Sequence, residues 1–373
     1  MPLIRPDSVR PEVEAFTPYT PGLSIDEIQT RYGLSQVIKM ASNENPLGVS
    51  PQVHAAIERH AVRAFRYPQG GNPRLVEALA RHHGVDPARV VAGNGSDELI
   101  DLLIRVRAVP GRHNVVAFIP CFSIYALQSR LCGVELRQAN LREDFSFDYA
   151  ALLGLVDDET ALVFVTTPDN PSGYCPPAAE LKKLALALPE ACLLVLDEAY
   201  MDFADDESAH SLLPGMESLS NVAVLRTFSK SFGLAGLRLG YALLPGQLAD
   251  YLWRVRLPFS VNILAEEAGL AALRDVAFRE ETLRVVRQGR GTLSRGLRGL
   301  GCRVWPSQAN FIMFRPPTGT PPARALFEGL LRMGVIIRPL ASYGLPDLLR
   351  VSVGTEEENV RFLDACKEFF HPS

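Results

Sequence analysis

At 373 residues, the chain is long enough for about two domains. Its composition, with 47% hydrophobic and 21% charged residues, is typical of a soluble globular protein. A formal net charge of −4 argues against a nucleic-acid binder, which usually carries a basic surface, so no nucleic-acid partner is expected.

Neither the N-terminal sequence nor the apolar stretches indicate a secretion signal or a membrane-spanning segment. The first sixteen residues contain prolines and charges but no apolar core, which is unlike a signal peptide. The most apolar stretch, 184–196, is interrupted by Pro189 and Glu190 and is too short to span a bilayer. Six scattered cysteines without a CxxC pair are predicted to be reduced core thiols. We therefore expect a cytoplasmic protein with no membrane partner and no metal site.

Residues 1–45 are predicted to form an N-terminal arm. They are rich in proline and contain one short polar helix candidate, near Ser24–Tyr32. An arm of this kind has no core of its own, so we expect it to pack on another part of the protein.

Residues 46–265 are predicted to form a large α/β domain. Helical stretches, such as 73–83 with Asn72 as its N-cap, alternate with short apolar strands. Strands that are apolar on both faces are typical of a buried parallel sheet, and the alternation predicts a doubly wound one. The strand candidates are RVVAG, HNVVAFIP, ALVFVTTP, CLLVLDE and NVAVLRTF. Ligands bind at the carboxyl ends of such strands.

Residues 266–373 are predicted to form a smaller α+β domain, on which the arm folds. An amphipathic segment, 265–300, leads to further helices near 323–333 and 356–370. Between them lie the strand candidates CRVWP, NFIMF, GVIIRP and LLRVSVG. The boundary near residue 265 is placed to within about ten residues.

The first strand of the large domain ends in the run Gly93-Asn94-Gly95-Ser96-Asp97-Glu98, followed by an amphipathic helix. Glycines let a backbone approach an anion, and a helix N-terminus offers free N–H groups and partial positive charge. The alternative is an ordinary turn with Ser96 as the N-cap.

Polar or aromatic residues also follow the next three strands. Phe122 is placed to lie flat on the planar ring of a ligand. The alternative is that Phe122 simply packs in the hydrophobic core. Asn170 lies in an Asp-Asn-Pro-Ser-Gly sequence that forms a turn with or without a ligand. Asp197 at the end of a buried strand needs a partner, and Tyr200 follows it; a salt bridge between Asp197 and a structural arginine is the alternative.

The last strand is followed by Lys230, with Ser229 before it and Arg238 eight residues on. A lysine among small and apolar residues has a lowered pKa and a nucleophilic amine, as Schiff-base chemistry requires. The alternative is a surface lysine. Ser229 and Arg238 are placed to hold a phosphate.

Together these strand ends supply the groups that pyridoxal 5′-phosphate (PLP) requires. We predict that Ser96, Ser229 and Arg238 hold its phosphate and that Phe122 stacks on its ring. Asn170 and Tyr200 are predicted to contact its phenolic oxygen. Asp197 is predicted to keep its ring nitrogen protonated, so that the ring acts as an electron sink.

The chain resembles the fold-type-I, class II PLP-dependent aminotransferases, and within them the subfamily that acts on histidinol phosphate. The matching motifs run in the family's order over nearly the whole chain. Asp169, Ser172 and Ser231 depart mildly from the family pattern. The motifs are SNENPLG (42–48), RYPQG (66–70), GNGSDE (93–98), PDNPSG (168–173), DEAY (197–200), TFSKSFGLAGLRLGY (227–241), ANF (309–311), IIRP (336–339) and LRVSVGTEEEN (349–359).

The resemblance implies further site residues. Tyr67 would come from the neighbouring subunit of a homodimer with shared active sites and touch the cofactor phosphate. Arg350 would bind the α-carboxylate of glutamate, and Arg338 the phosphate of histidinol phosphate or the distal carboxylate of glutamate. Tyr19 would close over the substrate, and Asn43 would lie at its carboxylate end, although Asn43 also suits a structural turn. Gly95, Asp97 and Thr227 join the cofactor site through the matching motifs.

The resemblance implies that Lys230, with Asp197 and Tyr200, exchanges an amino group between histidinol phosphate and 2-oxoglutarate. The products are imidazole-acetol phosphate and glutamate, in histidine biosynthesis, with ping-pong kinetics. The alternatives are an aromatic amino-acid aminotransferase and a threonine-phosphate decarboxylase on the same scaffold. A non-catalytic PLP-binding regulator is disfavoured by the intact Lys230, Asp197 and Arg350.

Overall fold

The computed structural model describes residues 9–14, 16 and 22–371. Strands in this part of the chain form a seven-stranded, a four-stranded and a two-stranded sheet. In chain order they are β1 (Ile38–Lys39), β2 (Val90–Gly93), β3 (Asn114–Ile119), β4 (Glu135–Asn140), β5 (Thr160–Thr166), β6 (Leu193–Asp197), β7 (Val222–Thr227), β8 (Gly240–Leu243), β9 (Arg303–Val304), β10 (Phe311–Arg315), β11 (Val335–Ile336), β12 (Arg338–Pro339) and β13 (Leu349–Ser352).

Helices surround these sheets. They are α1 (Pro11–Glu14), α2 (Ile25–Tyr32), α3 (Pro51–Ala61), α4 (Pro73–His83), α5 (Ser96–Arg107), α6 (Ile124–Leu131), α7 (Tyr149–Leu153), α8 (Ala178–Ala187), α9 (Glu207–His210), α10 (Leu248–Val255), α11 (Ile263–Arg274), α12 (Val276–Gly299), α13 (Ala323–Arg332) and α14 (Glu356–Phe370). Within the described residues, no helix is both long enough and apolar enough to cross a membrane.

The seven-stranded sheet has the order β2-β8-β7-β6-β5-β3-β4. Neighbouring strands in it are parallel except for β8, which runs antiparallel to both β2 and β7. Strands β2, β5, β6 and β7 are buried along their whole length, as their continuous apolar sequences predict. Helices cover both faces, each over its own hydrophobic core. The predicted α/β class with a mostly parallel sheet is confirmed.

The four-stranded sheet is antiparallel, with the order β12-β13-β10-β9. A separate core of apolar side chains lies between it and helices α12, α13 and α14. Helix α14 begins with a capping box, because the side chains of Thr355 and Glu358 each accept a hydrogen bond from the other residue's backbone N–H.

Residues 25–41 of the predicted arm pack on this C-terminal part. Strand β1 pairs in parallel with β11, and Ile28 and Ala41 are buried against Leu331 and Ile336. Nearer the N-terminus, the Arg10 side chain donates to the Leu131 carbonyl oxygen, at the end of α6. The described part of the arm therefore contacts both the large sheet's helices and the C-terminal sheet.

The structure refines three local predictions. Asn72 is the N-cap residue of α4, as predicted, but its side chain does not bond the helix backbone; its amide donates to Glu266 Oε2 at 2.9 Å. Gly95, not Ser96, occupies the N-cap position of α5. The segment 265–300 is two helices, because Asp275 ends α11 and accepts the Phe278 N–H at the start of α12.

Candidate active site

A cavity of about 170 Å³ lies at the carboxyl ends of the parallel strands. It is smaller than an open surface cleft of about 1000 Å³ beside α14, yet it gathers most of the residues that the sequence singled out. The cavity is lined by Ser96, Asp97, Phe122, Thr166, Asn170, Asp197, Ala199, Tyr200, Thr227, Ser229, Lys230, Ala235 and Arg238.

One end of the cavity suits an anion. Helix α5 begins there with Ser96, after Gly95 at a φ of 79°. Arg238, itself in the left-handed region with a φ of 54°, donates from Nη2 to Asp97 Oδ2 at 3.1 Å. Thr227 donates to Ser229 Oγ at 3.0 Å. Free N–H groups, two hydroxyls and a guanidinium are the donors that a phosphate requires.

Gly240 lets the sheet approach this anion end closely. It opens β8 and lies between Gly93 of β2 and Thr227 of β7. A Cβ atom at Gly240 would lie 2.5 Å from the Ser96 backbone nitrogen, a distance that side chains do not tolerate. The N-terminus of α5 therefore lies directly against β8.

Lys230 follows β7 and lines the middle of the cavity. Its Nζ donates to the Ser42 carbonyl oxygen at 3.2 Å and lies 5.5 Å from the centre of the Tyr200 ring. Burial, aided by the positive charge of Arg350, lowers the pKa of Lys230 to about 8. A lysine of this kind is neutral, and therefore nucleophilic, in a much larger fraction than a surface lysine.

Asp197 ends β6 and is only 3% exposed. Its Oδ2 accepts the Tyr125 hydroxyl at 2.7 Å, and its Oδ1 accepts the Ala199 N–H at 3.2 Å. Burial raises the pKa of Asp197 to about 6. Among the described residues no arginine pairs with it, so the structural salt bridge considered for Asp197 is not present. The next residue, Glu198, forms the salt bridge with an arginine instead: its Oε2 accepts a hydrogen bond from Arg226 Nε at 2.9 Å.

Phe122, Asn170 and Tyr200 enclose the same space. The ring of Phe122 is half-buried and meets Tyr125 edge-on at 5.8 Å between centroids. Asn170 Oδ1 accepts a hydrogen bond from Arg350 Nη1. The Tyr200 hydroxyl accepts Asn43 Nδ2 at 3.0 Å, and Asn43 Oδ1 accepts the Ser352 hydroxyl at 2.8 Å.

Arg350 and Arg338 are directly opposite each other on β13 and β12. Cross-strand partners project from the same face of a sheet, so the two guanidinium groups share one side of it. Arg350 is 5% exposed and also donates to the Ala41 carbonyl oxygen at 3.0 Å. Like charges placed opposite each other repel unless an anion lies near them.

The structure does not bring every predicted residue to the cavity. Tyr67 is 81% exposed and stacks on Phe259 at 4.9 Å on the outer surface. Four more predicted residues lie outside the cavity lining: Gly95, Asn43, Arg338 and Arg350. Asn43 contacts the lining through Tyr200, and Arg350 contacts it through Asn170. Tyr19 lies outside the described residues.

Two polar residues at the site were not singled out from the sequence. They are Tyr125, three residues after Phe122, and Thr166, which lies in the strand candidate ALVFVTTP. Their hydroxyls lie 2.7 Å apart, and Tyr125 bonds Asp197. The signal available was the short spacing between Phe122 and Tyr125: the chain turns here into α6, and the Tyr125 N–H donates to the Phe122 carbonyl oxygen at 3.3 Å.

The donors of the cavity fit PLP. A phosphate would meet the N-terminus of α5 together with Ser229 and Arg238, and a planar ring would lie beside Phe122. A protonated ring nitrogen would meet the otherwise uncompensated carboxylate of Asp197, and an aldehyde would meet the amine of Lys230. These four kinds of group are the ones that PLP presents.

A mostly parallel sheet with a buried lysine at its carboxyl edge defines a class of enzyme, and the chain belongs to it: aminotransferase class I and II, whose family model matches residues 35–365. Two relatives narrow the class. The histidinol-phosphate aminotransferase of Nitratidesulfovibrio vulgaris (strain Hildenborough) is 68% identical over 364 residues, covering 98% of this chain and 97% of the relative. That of Oleidesulfovibrio alaskensis is 64% identical over 362 residues, covering 97% and 94%.

A solved structure agrees with these relatives. It is the histidinol-phosphate aminotransferase from Sinorhizobium meliloti in complex with pyridoxal-5′-phosphate. The two chains are 29% identical and superpose with a TM-score of 0.88, over 97% of each chain.

Proposed function

We propose that the protein is a histidinol-phosphate aminotransferase that uses PLP and works in the cytoplasm as a homodimer. The observation that carries the proposal is the placement of Lys230 Nζ and the Asp197 carboxylate in one cavity at the carboxyl edge of the sheet. The relatives of 68% and 64% identity support the choice of substrate. The six cysteines, all unpaired, suit a reducing compartment.

The proposed cofactor contacts divide the cavity into three parts. Ser96 and Asp97 offer backbone N–H groups to the phosphate, with Arg238 and Ser229 beside them and Thr227 supporting Ser229. Gly95, whose own N–H donates to the Gly93 carbonyl oxygen, lets the backbone lie close to the phosphate. Phe122 lies against the ring, and Asn170 and Tyr200 face its phenolic oxygen. Asp197 pairs with the ring nitrogen. When bound, PLP supplies an electron sink for the carbanion at the substrate's Cα.

Lys230 performs the proton transfer in this proposal. Its amine would hold the cofactor through the cofactor's aldehyde carbon. Once a substrate amine has taken its place there, the free Nζ would carry a proton from the substrate Cα to C4′ of the cofactor. The lowered pKa of Lys230, about 8, keeps a useful fraction of the amine in its basic form near neutral pH.

Arg350 and Arg338 supply the proposed substrate contacts. Arg350 binds the α-carboxylate of glutamate or 2-oxoglutarate, and Asn43 lies at the same end through its bond to Tyr200. Arg338, on the same face of the sheet, binds the phosphate of histidinol phosphate or the distal carboxylate of glutamate. Tyr19, which lies outside the described residues, is proposed from the family resemblance to close over the substrate.

The homodimer is supported by an exposed apolar surface. The side chains of Val62, Phe65, Tyr67, Leu257 and Phe259 are 43–81% exposed, and the two segments meet where Tyr67 stacks on Phe259. Apolar surface of this kind marks an interface. In the proposed dimer, Tyr67 reaches the cofactor phosphate of the partner subunit. The arm (1–45), the large domain (46–265) and the small domain (266–373) remain the proposed division of the chain.

A substrate panel tests the proposed reaction. The purified protein with PLP and 2-oxoglutarate is assayed with histidinol phosphate, phenylalanine and threonine phosphate. We expect glutamate formation with the highest kcat/KM for histidinol phosphate. Preference for phenylalanine would indicate an aromatic aminotransferase, and CO₂ release from threonine phosphate would indicate a decarboxylase; either result would contradict the proposal.

Lys230→Ala tests the assignment of the amine. The variant should lose turnover and should no longer retain PLP after borohydride reduction, as measured by the intact mass. Lys183→Ala removes a lysine outside the cavity lining and serves as the control, with turnover and labelling unchanged. Turnover and covalent labelling that survive in Lys230→Ala would exclude the role proposed for this residue.

A further inference from the structure

Two hydroxyl groups, those of Thr166 and Tyr125, form a chain of hydrogen bonds that ends on the Asp197 carboxylate. The Tyr125 side chain is fully buried, and its oxygen is 2.7 Å from Asp197 Oδ2 and 2.7 Å from Thr166 Oγ1. Thr166 ends β5, the strand beside β6, and Tyr125 belongs to the first turn of α6. Three elements of the large sheet region therefore meet at one carboxylate.

The hydrogen bonds in this group have a definite direction. An ionised carboxylate only accepts, so the hydroxyl proton of Tyr125 is given to Asp197. The tyrosine then has no proton left for Thr166, so the threonine hydroxyl donates to the Tyr125 oxygen. Thr166 thus polarises the Tyr125 hydroxyl and strengthens its bond to Asp197.

We propose that Tyr125, supported by Thr166, is a positioning residue that keeps the Asp197 carboxylate ionised and aimed at the protonated ring nitrogen of PLP. The inference rests on the proposed function, which puts that nitrogen beside Asp197. Tyr125 acts only through Asp197 and is not itself a contact of the cofactor in this assignment.

The surroundings of Asp197 explain why such support is needed. The carboxylate is buried, and among the described residues its hydrogen bonds come from the Tyr125 hydroxyl and the Ala199 N–H. The charged groups that act on it are Asp97, which repels it, and Lys230, which attracts it. Tyr200 is a further ionisable group beside it. Tyr125 is therefore the side-chain donor that offsets the cost of burying this charge.

The ring of Tyr125 is held independently of its hydroxyl. It stacks on Phe164 with 4.6 Å between centroids and an interplanar angle of 11°, and it meets Phe122 edge-on. Tyr125→Phe therefore keeps the aromatic packing and removes one oxygen atom. Tyr241→Phe is the matched control, because Tyr241 is also buried, at 2% exposure, and bonds His83 instead of Asp197.

The experiment measures PLP affinity as a function of pH for the wild-type protein and the variants. Loss of the Tyr125 hydroxyl makes Asp197 easier to protonate, so the acidic fall in affinity should begin about one pH unit higher. At acidic pH, where Asp197 is protonated in the free protein, a shift of one unit corresponds to about a tenfold weaker affinity for PLP, and the difference becomes small as the pH rises above neutral. With PLP labelled with ¹⁵N at the ring, the nitrogen resonance should move towards that of the unprotonated ring. Tyr241→Phe should match the wild type in both measurements.

The outcomes separate this inference from the proposed function. A Tyr125→Phe variant with the wild-type pH dependence and nitrogen resonance would overturn the role of Tyr125, while PLP binding through Lys230 would still stand. An equal shift in Tyr241→Phe would also overturn it, since the effect would then be general. If Tyr125→Phe does not fold, Thr166→Val gives the test: a smaller shift in the same direction supports the role, and no shift refutes it.

Discussion

Lys230 shows how strongly the surroundings of a single residue determine its chemistry. Its amine is enclosed at the end of a buried strand, with Arg350 as the strongest charge that disfavours its protonation. A free lysine is almost fully protonated at neutral pH, whereas the pKa of Lys230 is about 8. The neutral amine needed for attachment of an aldehyde is therefore available under ordinary conditions.

The pH dependence of cofactor attachment follows from this lowered pKa. Because only the neutral amine reacts, the rate at which the apoprotein attaches PLP should rise with pH and level off above about 8. Stopped-flow absorbance between pH 6 and pH 10, at about one-unit intervals, measures this rate. An attachment rate that still rises steeply at about pH 10, as for an ordinary lysine, would contradict the lowered pKa.

Sequence reasoning identified most of the residues that line the cavity and failed for identifiable reasons. Asp197, Lys230 and Phe122 could be singled out because each lies at the end of a buried strand or within three residues of it, where a polar or aromatic residue needs an explanation. Tyr125 could not, because a tyrosine on the apolar face of a short helix is typical of a core. Its value lies in one oxygen atom, and the partner of that atom is 72 residues away.

At the scale of the elements, the strand β8 gives the anion end of the cavity its shape. It lies between β2 and β7 and begins with Gly240, whose lack of a side chain lets α5 start directly above it. The strand was not predicted, because four residues after an irregular segment give little periodic signal. Strand β4 was missed for another reason: it is an edge strand with polar, half-exposed residues.

Gly240→Ala should disturb the anion end. The new Cβ would lie 2.5 Å from the Ser96 nitrogen and 2.7 Å from the Gly95 carbonyl carbon, so the N-terminus of α5 must move. We expect destabilisation by about 1–3 kcal/mol, measured by denaturant unfolding, and a weaker affinity for PLP and inorganic phosphate. Gly236→Ala, which has nothing within 4 Å of its Cβ, is the control. Equal stability of the two variants would refute the close approach.

At the scale of the whole molecule, the apolar surface around Tyr67 and Phe259 shares no residue with the lining of the cavity that it is proposed to serve. Composition and motif order predicted the α/β class correctly, since apolar strands alternating with helices leave few other arrangements. The division of the chain into arm, large domain and small domain stays a prediction. Its boundary near residue 265 falls on α11, which packs on α3 and α4 of the large domain and leads directly into α12.

Phe259→Asp should separate the proposed dimer. A charge placed in an apolar interface without a partner costs more than about 1.4 kcal/mol, so the dissociation constant should rise at least about tenfold. Sedimentation velocity over a range of concentrations measures the change. Leu186→Asp, which alters an exposed leucine on α8, is the control. A Phe259→Asp variant that remains dimeric at low concentration would place the interface elsewhere.

Besides its proposed role in binding the substrate carboxylate, Arg350 affects the basicity of Lys230. Its positive charge is one of the causes of the weak proton affinity of Lys230. A carboxylate that binds Arg350 cancels part of that charge, so the amine of Lys230 becomes a stronger base once the substrate carboxylate is bound. Substrate binding at Arg350 is thereby coupled electrostatically to the basicity of Lys230. The Lys230 amine accepts a proton most readily when a substrate that can donate one is bound.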